Sequence, residues 1–298
     1  MTEPFVETET DRTKSKWVAR AYFDFLKETG RPRTTQRGLF YYALQRKVSD
    51  YPICGGFVGE IRIMRPYHEN DGEKLHKWLG KAKMLGYIPA GVILDEAPGE
   101  RIILPEHSSN RPYSIEVWLN KSSLDPLLVP VCKERGVTLV SVQGRPSEES
   151  LKALYRRAAG RSTIILCLCD LTPGGAFFAA DLAAEIARAK PQGCDADIKL
   201  KCIGLLPEQI SRLKIPLLKI PTVRKGPKFK DEQERFKRYL KPHLPDPKKM
   251  AEIDALEAHY PGGIAGFLEE CLSKFIGNSD PEKESWILDL KKGLLPKS

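Results

Sequence analysis

Residues 162–169 read STIILCLC, a nearly unbroken apolar run of strand length. A strand with no polar face has to be covered on both sides, as in the middle of a parallel sheet packed between helices. The surrounding sequence has the matching rhythm. SIEVWL (114–119), VTLVSV (137–142) and DIKLKCIG (197–204) are strand-like, and Ser122–Arg135, Glu148–Ala158 and Gly175–Lys190 have helical periodicity. This alternation predicts an α/β domain over residues 111–298, with a mainly parallel sheet flanked by helices.

A different pattern precedes it. Val18, Ala21, Tyr22, Phe25 and Leu26 form one stripe of a helix spanning Asp11–Thr29, which Gly30-Arg31-Pro32 stops. Thr34 or Thr35 caps a second helix reaching about Lys47, with Leu39, Phe40, Ala43 and Leu44 on its buried side. Residues 51–70 are punctuated by Gly and Pro and read as irregular. A third helix covers Gly72–Leu85, with Leu75, Trp78, Leu79 and Ala82 on one stripe. GVILD and RIILP, separated by EAPGE, read as a hairpin. Three helices and a hairpin are the plan of a winged helix, which predicts an N-terminal winged-helix-like module over residues 15–110. The polar residues 1–14 read as a disordered tail.

No apolar stretch is long enough to span a bilayer, and the acidic N-terminus lacks the pattern of a secretory signal. The expectation is a cytoplasmic protein, nucleoid-associated if prokaryotic. Seven scattered cysteines without a CxxC pair read as reduced thiols, and five dispersed histidines show no metal-ligand spacing.

The net charge is +9, and its placement matters more than its size. Arg212–Lys249 holds thirteen Lys or Arg against four Asp or Glu, so the rest of the chain is balanced. A local excess of this kind attracts polyanions; the alternative is a solvated face with no partner.

In a parallel α/β sheet, chemistry gathers at the C-terminal ends of strands. Two such ends stand out: Asn120-Lys121, and Asp170 at the head of DLTPGG. A carboxylate followed by Pro-Gly-Gly at a helix start suits a cation or phosphate, although an ordinary turn and helix cap has the same residues.

EVWLNKSSLDPLLVPVCKERGVTLVSVQGRPS (116–147), IILCLCDLTPGGAFFAADL (164–182), CIGLLPEQI (202–210) and AEIDAL (251–256) occur in that order. Together they resemble the Toprim region of proteins related to the topoisomerase VI A subunit and the meiotic double-strand-break transesterase. TTQRGLFYYAL (34–44) resembles that family's tyrosine-bearing helix, and KWLGKAKMLGYIPAGVILDE (77–96) its following helix and wing. The resemblance covers residues 16–298.

It implies a role for each matching residue. The family holds Mg²⁺ with a Glu before a Lys and with both aspartates of a DxDPxG motif. Here those three positions are Asn120, Asp170 and Thr172, with Lys121, Pro173 and Gly175 retained. Mg²⁺ is a hard cation that binds through carboxylates, so losing two of them predicts a weakened metal site. Glu116, on the same strand face but roughly 13 Å back along the strand, and Asp181, one helix further on, are the carboxylates that could compensate in principle. Tyr41 matches the nucleophile and Arg37, one turn earlier, its activating cation; Tyr42 is the reserve. Lys74, Lys77, Lys81 and Lys83 on the third helix, with Lys121, Arg224, Lys225, Lys228 and Lys230, are candidates for DNA phosphates.

The expectation is a protein that binds double-stranded DNA, of the topoisomerase VI A-subunit type, with strand cleavage reduced or lost. The resemblance also implies a homodimer, and an ATPase subunit is a possible partner. Two other readings fit the same residues: an active Mg²⁺-dependent tyrosine transesterase, and a non-catalytic assembly or regulatory subunit.

Overall fold

The computed structural model of the chain describes residues 7–47, 49–107, 110–220, 227–277 and 285–292. It divides into two compact units, residues 1–95 and 96–298.

The first unit opens with α1 (Glu9–Thr29), which begins inside the segment expected to be a tail. The reason is local. Asp11 N donates to Thr8 Oγ1 at 3.1 Å and the Thr8 N–H donates to the Asp11 carboxylate at 3.4 Å, a capping box that starts the helix early. Asp11 is then buried as the partner of Lys81. β1 (Thr34–Thr35) leads into α2 (Gln36–Leu44), capped by the Gly38 N–H donating to Thr35 Oγ1 at 2.9 Å.

A hairpin follows, β2 (Ile53–Val58) with β3 (Ile61–Arg65), where the sequence reads as irregular. Gly55, Gly56 and Gly59 interrupt the alternation that would have revealed it. Gly59 takes φ 57°, the left-handed conformation a two-residue hairpin turn requires. α3 (Gly72–Met84) has the expected span and buries Leu75, Leu79 and Ala82.

The hairpin expected from GVILD and RIILP does not form. β4 (Ile93–Leu94) pairs in parallel with β1, Thr34 opposite Ile93, while β5 (Arg101–Ile103) joins the sheet of the second unit. Two glutamates hold EAPGE open. The Glu96 carboxylate accepts from the Ser122 hydroxyl at 2.7 Å, and the Glu100 carboxylate from the Ser147 N–H at 2.6 Å.

The second unit continues with β6 (Tyr113–Leu119), α4 (Asp125–Glu134), β7 (Thr138–Ser141), α5 (Glu148–Arg157), β8 (Ser162–Leu168), α6 (Phe178–Arg188), β9 (Ile198–Gly204) and α7 (Pro207–Leu213). Then come β10 (Leu218–Lys219), α8 (Pro227–Leu240), β11 (Lys249–Met250), α9 (Ala255–His259), α10 (Gly263–Gly277) and β12 (Leu288–Asp289). The six-stranded sheet has the order β12-β9-β8-β6-β7-β5. Its four inner strands are parallel and both edge strands antiparallel. β8 lies inside the sheet, and Thr163–Leu168 are all buried, as the apolar run requires. Leu151 and Leu154 of α5, with Leu182 and Ile186 of α6, pack on Trp118, Ile165, Cys167 and Leu200 of the sheet. The fold is therefore mixed α/β, with a mostly parallel central sheet flanked by helices. No helix among the described residues is long and apolar enough to cross a membrane.

Candidate functional site

β6 and β8 are neighbours in register, Leu119 opposite Leu168. Asn120 and Asp170 therefore leave adjoining strand ends, about 5 Å apart in the pairing direction. Both are half-buried.

The loop after β8 is shaped by close packing. Thr172 Oγ1 accepts from the Gly175 N–H at 3.0 Å, closing a tight turn. A Cβ at Gly175 would lie 2.8 Å from the Asp170 carbonyl oxygen and 2.9 Å from Thr172 Oγ1, so only glycine fits. Asp170 Oδ1 accepts from the Ile253 N–H at 2.8 Å. An isolated bridge between Leu171 and Ala251 runs alongside.

These contacts bring residues 251–254 to the strand ends. Lys121 Nζ lies 2.5 Å from Asp254 Oδ2; the aspartate side chain is wholly buried and the lysine nearly so. Burial alone would lower the Lys121 pKa. The charges of Asp254, Asp170 and Glu252 outweigh it and raise the pKa well above that of an ordinary lysine. The site therefore contains a permanent ammonium with three acidic neighbours. Glu252 and Asp254 were not among the candidates, although they lie within the AEIDAL segment.

The same residues do not fit Mg²⁺. Asn120 and Thr172 bring no charge, Thr172 Oγ1 is engaged in the turn, and Asp170 is held by backbone. Among the described residues, no three His, Cys, Asp or Glu are grouped to hold a metal ion. Glu116 is not free to compensate. Glu116 is buried in mid-strand and accepts from Arg157 at 2.7 and 2.9 Å and from the Trp118 indole at 2.8 Å. Asp181 is exposed on α6.

The basic segment begins and ends near this rim. β10 and β11 within it pair antiparallel, Leu218 with Met250. Within it, α8 buries Phe236 and Leu240. The Arg235 guanidinium lies 3.9 Å from the Phe177 ring centroid, and Tyr239 packs edge-on against the same ring at 5.8 Å. Phe177 follows Gly175 by two residues, so α8 rests beside the DLTPGG loop. Lys230, Arg238 and Lys241 are exposed. Arg224, Lys225 and the Lys228 side chain lie outside the described residues.

The tyrosine half looks different from the sequence reading. Tyr41 and Tyr42 are both buried, Tyr41 completely. α2 is short and enclosed on more than the one face its periodicity marks, so Tyr42 does not project away from the core. Its ring packs edge-on against Phe25 at 5.5 Å, the Arg46 guanidinium lies 4.2 Å from its centroid, and burial pushes its pKa up to about 12. Arg37 stacks 4.0 Å from the Phe40 ring centroid and 5.5 Å from that of Tyr41.

On α3, three of the four candidate lysines are ion-paired: Lys74 with Asp71, Lys81 with Asp11 and Lys83 with Asp95. Lys77 is exposed. A DNA phosphate would have to displace an aspartate from each of the three.

No family model matches this sequence, and no curated protein matches it.

Proposed function

We propose that this chain is a DNA-binding protein of the topoisomerase VI A-subunit type, built from a winged-helix-like module and a Toprim-type domain, with strand cleavage lost or much reduced. The observation that carries the reading is the position of α8. A basic helix rests beside the loop that begins at Asp170, held there by Arg235 stacked on Phe177. A row of exposed cations beside parallel-strand ends suits a phosphate backbone.

The same geometry argues against cleavage. A tyrosine nucleophile has to reach phosphorus, and Tyr41 is wholly enclosed. A metal would have to displace or coexist with the Lys121 ammonium. The phosphate contacts proposed here are made by side-chain cations alone, so binding is metal-independent.

Filter binding of a short duplex at increasing salt tests this. Affinity should fall steeply with salt and be unchanged by EDTA. Supercoiled DNA incubated with the protein and Mn²⁺ should remain intact. Nicking that disappears in Tyr41→Phe would establish the active transesterase instead. Affinity indifferent to salt would favour the assembly or regulatory subunit.

A further inference from the structure

Three cysteines meet on one side of the central sheet. Cys167 and Cys169 are two residues apart along the buried run of β8, and both belong to the core that α5 and α6 cover. Cys202 of β9 packs against the same core, and register sets it opposite Cys167. The sulfurs in contact, however, are those of Cys169 and Cys202, with Sγ to Sγ at 3.4 Å. Both thiols are free, Cys169 buried and Cys202 partly exposed. The hydrogen bond with Cys169 outweighs burial and lowers the Cys202 pKa, which favours its thiolate.

Two features make this pair more than core packing. The ladder is irregular beside it: the Cys167–Cys202 pair is followed by Leu168–Gly204, which leaves Ile203 as an extra residue of β9. The pair also lies against α8. Burial and the nearness of Cys202, Glu208 and Cys169 raise the Tyr239 pKa to about 12. The Tyr239 ring packs between Phe177 at 5.8 Å and His243 at 5.9 Å.

We propose that Cys169 and Cys202 are a reversible dithiol–disulfide switch for peroxide, whose oxidation loosens the seat of α8. Cys202, the more accessible thiol, attacks one oxygen of hydrogen peroxide as its thiolate. The O–O bond breaks, the Cys202 sulfur is oxidised to a sulfenic acid, and the second oxygen leaves as water after taking up a proton. The Cys169 sulfur then attacks the Cys202 sulfur. The S–O bond breaks, and hydroxide leaves as a second water with the Cys169 proton. One peroxide and two thiols become one disulfide and two waters. A dithiol reductant reverses this by exchange, leaving as its own disulfide.

An S–S bond is about 2.05 Å long, so the sulfurs close by roughly 1.3 Å. Cys202 stands opposite Cys167, two residues short of Cys169, so the bridge also draws on the backbone. The bulge at Ile203 is where β9 yields. Packed interiors transmit such a shift, and the side chain resting beside both sulfurs is Tyr239. The inference stands whether or not the chain binds DNA.

The test treats the full chain with a few equivalents of hydrogen peroxide and titrates thiols in denaturant. Two of the seven thiols should be lost and regained with dithiothreitol. Tryptic digestion without reduction should link residues 162–188 to residues 202–212, with fragmentation placing the bridge on Cys169. Cys167→Ala should still form the bridge. Cys169→Ala and Cys202→Ala should not, and Cys202→Ala, at the partly exposed position, suffices if the buried substitution fails to fold. Amide exchange across residues 230–240 should quicken at least ~10-fold on oxidation in the wild type and stay unchanged in Cys202→Ala. The proposal is overturned if all seven thiols survive, if Cys202 goes to sulfinic acid without a bridge, if the bridge lies on Cys167, or if it forms and exchange in α8 does not change.

Discussion

Lys121 directly follows Asn120 at the end of β6, and its ammonium is drawn inward by Asp254 rather than outward to solvent. At this position a single residue decides whether the acidic side chains around it are compatible with burial. Removing one partner of a buried pair leaves the other uncompensated, which is far more damaging than losing an exposed pair. Lys121→Met should therefore cost about 3–5 kcal/mol, read from urea unfolding at neutral pH. Lys121→Arg, which keeps the charge, should cost much less. If Lys121→Met is as stable as the wild type, Asp254 is not relying on this ammonium. Gly175 is the complementary case, a position defined by space and not by charge, because the carbonyl of Asp170 and the hydroxyl of Thr172 fill the volume a Cβ would take.

Among the elements, the β2–β3 hairpin depends most on one ion pair. Burial by itself would raise the Asp71 carboxyl, but hydrogen bonds from Arg65 and Lys74 bring it from 3.8 down to about 2. The unfolded chain holds that proton more tightly than the folded one. The stabilisation is thus complete above about pH 4 and disappears as the pH falls towards the folded value. Its size is about 2 kcal/mol. Asp71→Asn should lose that amount at pH 7, and the difference from wild type should shrink to near zero by about pH 2, measured by denaturant titration at each pH. A gap that stays constant with pH would mean the loss is steric. The hairpin also shows where sequence reading runs short. β6, β7, β8 and β9 and the helices between them are legible because hydrophobic periodicity is a local signal. That alternation also implies that Asn120 and Asp170 share a strand-end rim. The hairpin is hidden by its glycines, and by apolar side chains on both faces that have no alternation to offer. Glu252 and Asp254 reach the site through contacts such as Ile253 to Asp170, 83 residues apart in sequence, which no local pattern encodes. The burial of Tyr41 and Tyr42 depends on how α1, α2 and α3 enclose one another, whereas a helical wheel shows only one face at a time.

For the whole molecule, the asymmetry of charge is the property that a binding measurement reads most directly. All nine excess positive charges of the formal count fall within residues 212–249, and elsewhere acids and bases cancel. In the structure many of those cancelling charges are already paired side chain to side chain, including Lys74, Lys81 and Lys83 on α3. Lys230, Arg238 and Lys241 recur at helical spacing along one side of α8 and its end, Lys237 beside them being paired with Glu234, while Phe236 and Leu240 are directed into the core. A phosphate backbone following that row releases counterions in proportion to the cations engaged. Each lost contact should then lower the slope of log K against log salt by ~0.9 for duplex DNA. Replacing Lys230, Arg238 and Lys241 together with Gln should flatten the slope by nearly three such steps and weaken binding at low salt without altering sequence preference. Lys152→Gln on α5, where the lysine is already paired with Glu148, should leave the slope unchanged. If the triple substitution and the α5 control give the same slope as the wild type, α8 is a solvated face and the polyanion, if any, binds elsewhere.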